Sequence, residues 1–303
     1  MNKVLVTGAT GFIGSQLVKT LVAANYEVVA FVRRTGNLDS IKRLDIKVRH
    51  GDITNLRSLI EACQGVDIVI HLAAITSSEG IDYEKSFQVN AVGSQNLIDA
   101  SKINHVKRVI FIGTQSDNPG AYATTKREAE KLFLDSGLNV TVIKPSLVYG
   151  PGGRGLISGI VQFIKKFPVI PIVGTGKYKM KPIYVFDVTQ AIIKCIEKDN
   201  TKSEYFISGV TTLPYCQFID EIVKVMELKR IKVYVPYFLT FLGVTLVSIF
   251  WKSFPITIDT LRGLVNPRVY DSEAAEKDLG FTPLGLEEGL RRTFAQLQGG
   301  EER

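Results

Sequence analysis

Two sets of residues in this 303-residue sequence have types and spacings that could do chemistry. The first is Gly8, Thr10, Gly11, Phe12, Ile13 and Gly14, a turn that follows the apolar run Lys3–Thr7 at once and opens an amphipathic helical pattern. Three glycines alone say little. At a strand-to-helix turn they let the chain bend, bring a pyrophosphate against bare backbone, and aim the helix N-terminus at its charge. The second set is Tyr122 and Lys126, four residues apart at the start of the helical pattern Ala121–Ser136 and therefore on one helix face. A free tyrosine titrates near ~10 and is a poor base at neutral pH. An ammonium beside it favours the phenolate and lowers that value, as a positive nicotinamide ring would.

The end of the second strand, Val32-Arg33-Arg34, separates the two nicotinamide cofactors. A site for NAD offers Asp or Glu there, to hold both ribose hydroxyls. Arginine instead grips a 2′-phosphate with a bidentate fork, where a carboxylate would repel it. Arg33 and Arg34 therefore point to NADP(H), with NAD(H) as the alternative.

Such residues need a scaffold that brings strand ends together. Lys3–Thr7, Glu27–Arg33, Ile46–His50, Asp67–Leu72, Lys107–Gly113 and Asn139–Lys144 read as strands, rich in Val and Ile without polar alternation, as expected when both faces are buried. Helical patterns at Phe12–Ala24, Asn55–Cys63, Glu84–Asn104 and Ala121–Ser136 separate them. Repeated β-α units predict an α/β fold, a Rossmann doubly wound parallel sheet, with ligands at the carboxyl ends of its strands. Residues 1–150 would form that domain. Residues 151–303, punctuated by Pro and Gly, would form a smaller mixed α/β substrate lobe with some segments returning to the first domain. Helices are expected there over Gly155–Lys166, Asp187–Lys198, Tyr215–Met226 and Leu286–Leu297.

Composition narrows the partners. A net charge of +7 favours anions, yet there is no block of like charge and no basic–aromatic interleaving, so nucleic acid is not an expected partner. Cys63, Cys195 and Cys216 lack disulfide or metal spacing, and His50, His71 and His105 are scattered, so no metal site is expected. Met1-Asn2-Lys3 runs straight into a strand, leaving no room for a signal peptide, and a cytoplasmic location is expected. Tyr237–Trp251 is almost wholly apolar but shorter than the roughly 20 residues a spanning helix prefers. It reads as a buried or pocket-lining helix, with membrane-surface contact as the alternative.

The glycine spacing resembles the extended and atypical short-chain dehydrogenase/reductase superfamily, which includes nucleotide-sugar epimerases, dehydratases and reductases. The resemblance extends through Gly51-Asp52-Ile53, His71-Leu72-Ala73-Ala74, Val89-Asn90, Tyr122 with Lys126, Pro145 to Pro151, and Leu279 to Pro283. It implies that Asp52 and Ile53 flank the adenine, and that Leu72, Ala73 and Ala74 line the cofactor groove, with Pro145, Leu147 and Val148 also at the cofactor. It implies catalytic roles too: Tyr122 moves the proton, Lys126 holds the nicotinamide ribose, and Thr114 hydrogen-bonds the substrate oxygen, with Ser116 the nearby rival. A family-type homodimer would pair Glu84–Asn104 with Ala121–Ser136.

The sequence departs from the nucleotide-sugar pattern in three places. Only Gln115 to Ala121 separate Thr114 from Tyr122, a short loop that should leave the site open. Leu147 stands where an asparagine is usual, and Met180 where an arginine is usual, flanked by Lys179 and Lys181. Lys177, Lys179 and Lys181 would share one side of a strand and could meet a diphosphate. The run Phe167–Gly176, with Lys181–Asp187, resembles the atypical branch that includes the NADPH-binding accessory subunit of respiratory complex I, where the dinucleotide can be structural. The expected function is an NADP(H)-dependent oxidoreductase or epimerase acting on a carbinol or carbonyl carbon, with a nucleotide sugar as substrate. The alternative is a non-catalytic NADP(H)-binding assembly or sensor protein, membrane-associated through Tyr237–Trp251.

Overall fold

The computed structural model describes residues 2–76, 82–153, 156–250, 258–265 and 268–298. The first half runs β1 (Lys3–Thr7), α1 (Phe12–Ala23), β2 (Glu27–Val32), β3 (Lys47–His50), α2 (Leu56–Cys63), β4 (Ile68–His71), α3 (Tyr83–Phe87), a π-helical turn (Gln88–Val92), α4 (Gly93–Ile103), β5 (Arg108–Ile112), α5 (Ala121–Leu134) and β6 (Val140–Pro145). The second runs β7 (Val148–Tyr149), α6 (Leu156–Lys166), β8 (Val169–Val173), β9 (Lys179–Met180), β10 (Ile183–Tyr184), α7 (Val185–Glu197), β11 (Glu204–Ile207), β12 (Leu213–Pro214), α8 (Tyr215–Val225), β13 (Ile231–Val235), α9 (Tyr237–Phe250), α10 (Ile258–Val265), α11 (Glu273–Leu279) and α12 (Leu286–Gln298).

Seven of the described strands form one sheet in the order β11-β6-β5-β4-β1-β2-β3, every neighbouring pair parallel. The chain builds outward from β1 to β3, then returns to β1's other side with β4. The strand order therefore reverses between β1 and β4, opening a crevice at their carboxyl ends. Both faces are buried along β1, β2, β4 and β5, which explains their unbroken apolar runs, whereas the edge strand β3 is largely exposed. On β1, Val4 and Val6 pack with Leu17 of α1 and Ile192 of α7, while Leu5 packs with Leu59 of α2 and Leu97 of α4. All are fully buried. Each such side chain contributes roughly 1.5–3 kcal/mol relative to exposure, so the β1 edge of the site is rigidly backed.

A second apolar core unites α6, β8, α8, α10 and α12 beside the sheet. In the later chain β11 pairs with β6, from Glu204↔Val142 to Ile207↔Pro145, and α7 packs on α1. Two expectations change in detail. The predicted helix Glu84–Asn104 is interrupted by the π turn, which inserts a residue and re-aims Asn90 inward. Of the later strands, the sequence pointed only to the stretch around Lys177–Lys181 and to Ile183–Val185, which form β9 and β10; a two-residue bridge such as β7 with β10 carries no periodicity. The predicted start of α6 at Gly155 lies outside the described residues, as does Trp251 at the end of the apolar stretch. No helix among the described residues is long and apolar enough to cross a membrane.

Candidate active site

At the glycine turn the backbone packs too closely for side chains. Gly8 has φ +69°, and a Cβ there would sit 2.7 Å from the Ala73 nitrogen. Any side chain would push β1 away from the segment after β4. At Gly14 a Cβ would meet the Gly8 carbonyl oxygen at 2.1 Å, so the helix can approach the strand this closely only without one. Gly11 caps α1 without a side-chain hydrogen bond, and the first turn holds no acidic residue. Its backbone N–H groups are therefore available to an anion. A dinucleotide pyrophosphate fits this cradle.

The turn opens into a cavity of about 930 Å³ at the carboxyl ends of β1, β2, β4, β5 and β6. Its wall includes the Gly8–Gly14 turn apart from Ala9, then Arg33, Asp52, Ile53, Leu72, Ala73, Ala74, Thr114, Tyr122, Lys126, Pro145, Leu147 and Val148. Arg34 is the exception among the expected site residues. It lies with His50 on a separate, shallower depression, because consecutive residues beyond a strand end point to opposite sides. Arg33 stays on the cavity side, near Asp52. Burial works against the Asp52 carboxylate, but hydrogen bonds from the Thr54 N–H (2.9 Å) and hydroxyl (2.7 Å), with the Arg33 charge, hold it below the usual range.

The Thr114 and Tyr122 side chains meet at one corner of the cavity. Burial raises the phenol above its ordinary value, while the Thr114 hydroxyl favours its ionised form. This differs from the expectation that Lys126 would lower it. Lys126 is almost fully buried, its Nζ 4.0 Å from the centre of the Phe111 ring. Burial pulls its own value from 10.5 to about 7, with the Glu130 charge opposing, so the ammonium is half lost near neutrality. Among the described residues, Thr114 is the one that assists Tyr122. Ser116, the rival, donates its backbone N–H to Thr114 Oγ1 at 3.1 Å and so orients it.

The short loop after Thr114 does not fall away from the cavity. Arg127 of α5 donates to the Ser116 carbonyl (3.0 Å), and Gln115 Nε2 donates to the Lys144 and Ile207 carbonyls (2.9 and 3.1 Å). Asp117 on the same loop pairs with Arg268 at 2.5 Å, tying it to the segment before α11. Beyond that corner the wall is mixed. Leu147, Leu156, Met180, Leu264 and Val269 supply apolar surface; Lys179, Lys181 and Arg268 supply charge. Lys177 is not part of the wall. Lys181 is held by Asp271 at 2.6 Å.

A family model described as the NAD dependent epimerase/dehydratase family matches residues 4–208. The chain belongs to that family. Relatives of this epimerase/dehydratase-family chain include a protein of Stenotrophomonas maltophilia named 2-alkyl-3-oxoalkanoate reductase, 25% identical over 97% of this chain and 98% of its own. A protein of Vibrio cholerae named UDP-glucose 4-epimerase is also 25% identical, over 96% and 94%. Among solved structures, the UDP-glucose 4-epimerase of Thermotoga maritima with UDP-glucose superposes with TM-score 0.80 at 23% identity, covering 99% of both chains. It shares the fold: the seven-stranded Rossmann-type α/β architecture of the extended short-chain dehydrogenase/reductases.

Several residues of the epimerase/dehydratase-family chain matter to the site without having been given a role from sequence. His71, fully buried, shares hydrogens with Thr7 Oγ1 (2.7 Å) and Ser94 Oγ (3.1 Å). Ser94 donates onward to the Asn90 carbonyl, so His71 Nε2 carries the proton and Nδ1 accepts from Thr7, which in turn accepts the Ala73 N–H (3.3 Å). Burial and the Lys126 charge keep the ring neutral. Asn90 clamps the other end of that segment: it accepts the Ile75 N–H (2.8 Å) and donates to the Ile75 carbonyl (3.1 Å) and Thr125 Oγ1 (2.9 Å). The cavity wall Leu72–Ile75 is thus fixed to β1 and to α5, the helix of Tyr122 and Lys126. Only the resemblance had marked His71 and Asn90; their partners are remote in sequence.

Proposed function

We propose that this chain is an NADP(H)-dependent oxidoreductase acting at a carbinol or carbonyl carbon. One observation carries the reading: the Thr114 and Tyr122 side chains meet at the wall of the same open cavity as the glycine turn and Lys126. A filled corner would have favoured a purely structural dinucleotide site. When bound, the cofactor supplies or removes the hydride. Tyr122 gives the proton to the substrate oxygen in reduction and takes it in oxidation, while Thr114 donates a hydrogen bond to that oxygen. Lys126, nearly stripped of water, would regain favourable partners from ribose hydroxyls. Arg33 would grip the 2′-phosphate, with the Gly8–Gly14 backbone on the pyrophosphate and Asp52 and Ile53 beside the adenine.

Two substrate classes suit the remaining wall. A nucleotide sugar would place its diphosphate near Lys179, Lys181 and Arg268, and the Vibrio cholerae relative's name supports it. An apolar ketone or alcohol is favoured by a specific feature: Leu147 and Met180 replace polar residues, beside Leu156, Leu264 and Val269, while Asp271 and Asp117 already neutralise Lys181 and Arg268. The Stenotrophomonas relative's name agrees with this reading, and we give it the greater weight. A turnover screen with NADPH, using 3-oxoalkanoates and UDP-hexoses, separates the classes. Tyr122→Phe should keep NADPH affinity and lose turnover by at least about 100-fold; comparable turnover would refute the assignment.

A further inference from the structure

Across residues 231–242 the second lobe turns apolar side chains to the outside in close succession. Ile231, Val233 and Tyr234 on β13, and Phe238, Leu239 and Leu242 on α9, are all exposed. In β13's parallel pairing with β8, Ile231 lies opposite exposed Val169 and Val233 opposite exposed Pro171, giving the two-stranded sheet a continuous apolar outer face. Phe163 and Phe167, exposed and with ring centroids 4.6 Å apart, lead directly into β8. On α9 the opposite side is anchored, with Val244 buried in the core beside Leu261 and Leu264 of α10. Monomeric proteins rarely leave such contiguous surface uncovered.

Charge identifies the partner. Residues 156–173 and 228–245 contain Lys165, Lys166, Lys229, Arg230 and Lys232 and no Asp or Glu. Lys232 is held by Asp220 at 2.6 Å, while Lys166, Lys229 and Arg230 keep the rim of the apolar face positive, which matches a surface of anionic headgroups over hydrocarbon. The 14-residue α9 rises only about 21 Å, short of the ~30 Å hydrocarbon core, so it can lie on a bilayer but not span it. We propose that the face formed by β8, β13 and α9 docks this protein onto an anionic lipid bilayer. Because α9 packs on α10, and Gly263 and Leu264 of α10 line the cavity, docking would bring the bilayer to the wall of the active site. The proposal is independent of either substrate reading.

The test is flotation of the full chain with vesicles of phosphatidylcholine alone and of phosphatidylcholine mixed with phosphatidylglycerol. Binding to the mixed vesicles is expected, weakening as salt rises. Lys166→Gln with Lys229→Gln should lower the partition coefficient about thirty-fold, at ~1 kcal/mol per basic residue. Phe238→Asp with Leu242→Asp should abolish it. All four side chains are exposed and outside the cavity, so unchanged melting temperatures would show that the variants fold. Failure to bind mixed vesicles, or equal, salt-insensitive binding to neutral ones, overturns the proposal. So would a dimer in solution that Phe238→Asp with Leu242→Asp dissolves, which would assign the face to a second copy.

Discussion

Lys126 gives the most demanding test of the site's electrostatics. Its ordinary value of 10.5 falls to about 7 in the folded chain because burial penalises the ammonium. Below pH 7 both folded and unfolded chains hold the proton, and the full penalty applies. Between about pH 7 and 10.5 the folded chain releases it while the unfolded chain keeps it. The unfolded state then binds more protons, so stability rises with pH, by up to about 1.4 kcal/mol per pH unit. At pH 7 the accumulated penalty is about 4 kcal/mol. Lys126→Met removes it, less about 1 kcal/mol for the lost contact over Phe111. The variant should therefore be about 3 kcal/mol more stable at pH 7, with the difference shrinking toward pH 10. Glu130 loses one attraction but keeps Lys144 at 2.6 Å. Urea unfolding followed by circular dichroism, at one-unit steps from pH 7 to 10, measures both curves. Parallel pH dependence in the two proteins would refute the desolvation of Lys126, and with it the account of this corner.

Three further outcomes follow from the geometry. Gly8→Ala should destabilise the chain by at least about 2 kcal/mol, read by urea midpoint, because the new Cβ meets backbone at 2.7 Å in a left-handed conformation. Arg33→Ser should weaken NADPH binding by roughly 10- to 100-fold in calorimetric titration, the loss of a charge-assisted contact, and leave NADH affinity unchanged. Equal effects on both cofactors would move the 2′-phosphate elsewhere. Asn90→Ala should cost about 2–4 kcal/mol, since the Ile75 N–H and carbonyl lose their partner together, and should raise hydrogen exchange at Ile75; an unprotected Ile75 N–H in the natural chain would contradict the clamp.

Local chemistry made much of this protein legible in advance. A strand buried on both faces must be apolar throughout, so the inner strands β1, β2, β4 and β5 stand out in the sequence as Val/Ile-rich runs. A strand-to-helix turn around a phosphate must be glycine, and Tyr122 and Lys126 must share a face because four residues separate them. What sequence could not supply was anything set by contacts remote along the chain. The split of Arg33 from Arg34 depends on which side of the strand end each leaves. The weakened charge of Lys126 depends on how completely Phe111 and its neighbours exclude water. The pairing of β11 with β6, the clamp from Asn90 to Ile75 and Thr125, and the bond from Asp117 to Arg268 join segments 15 to 151 residues apart. Residue type and spacing thus determined that a strand-to-helix glycine turn and a tyrosine–lysine pair on one helix face exist. Packing alone decided their protonation, their partners and the surface around them, because burial and distance are properties of the folded chain.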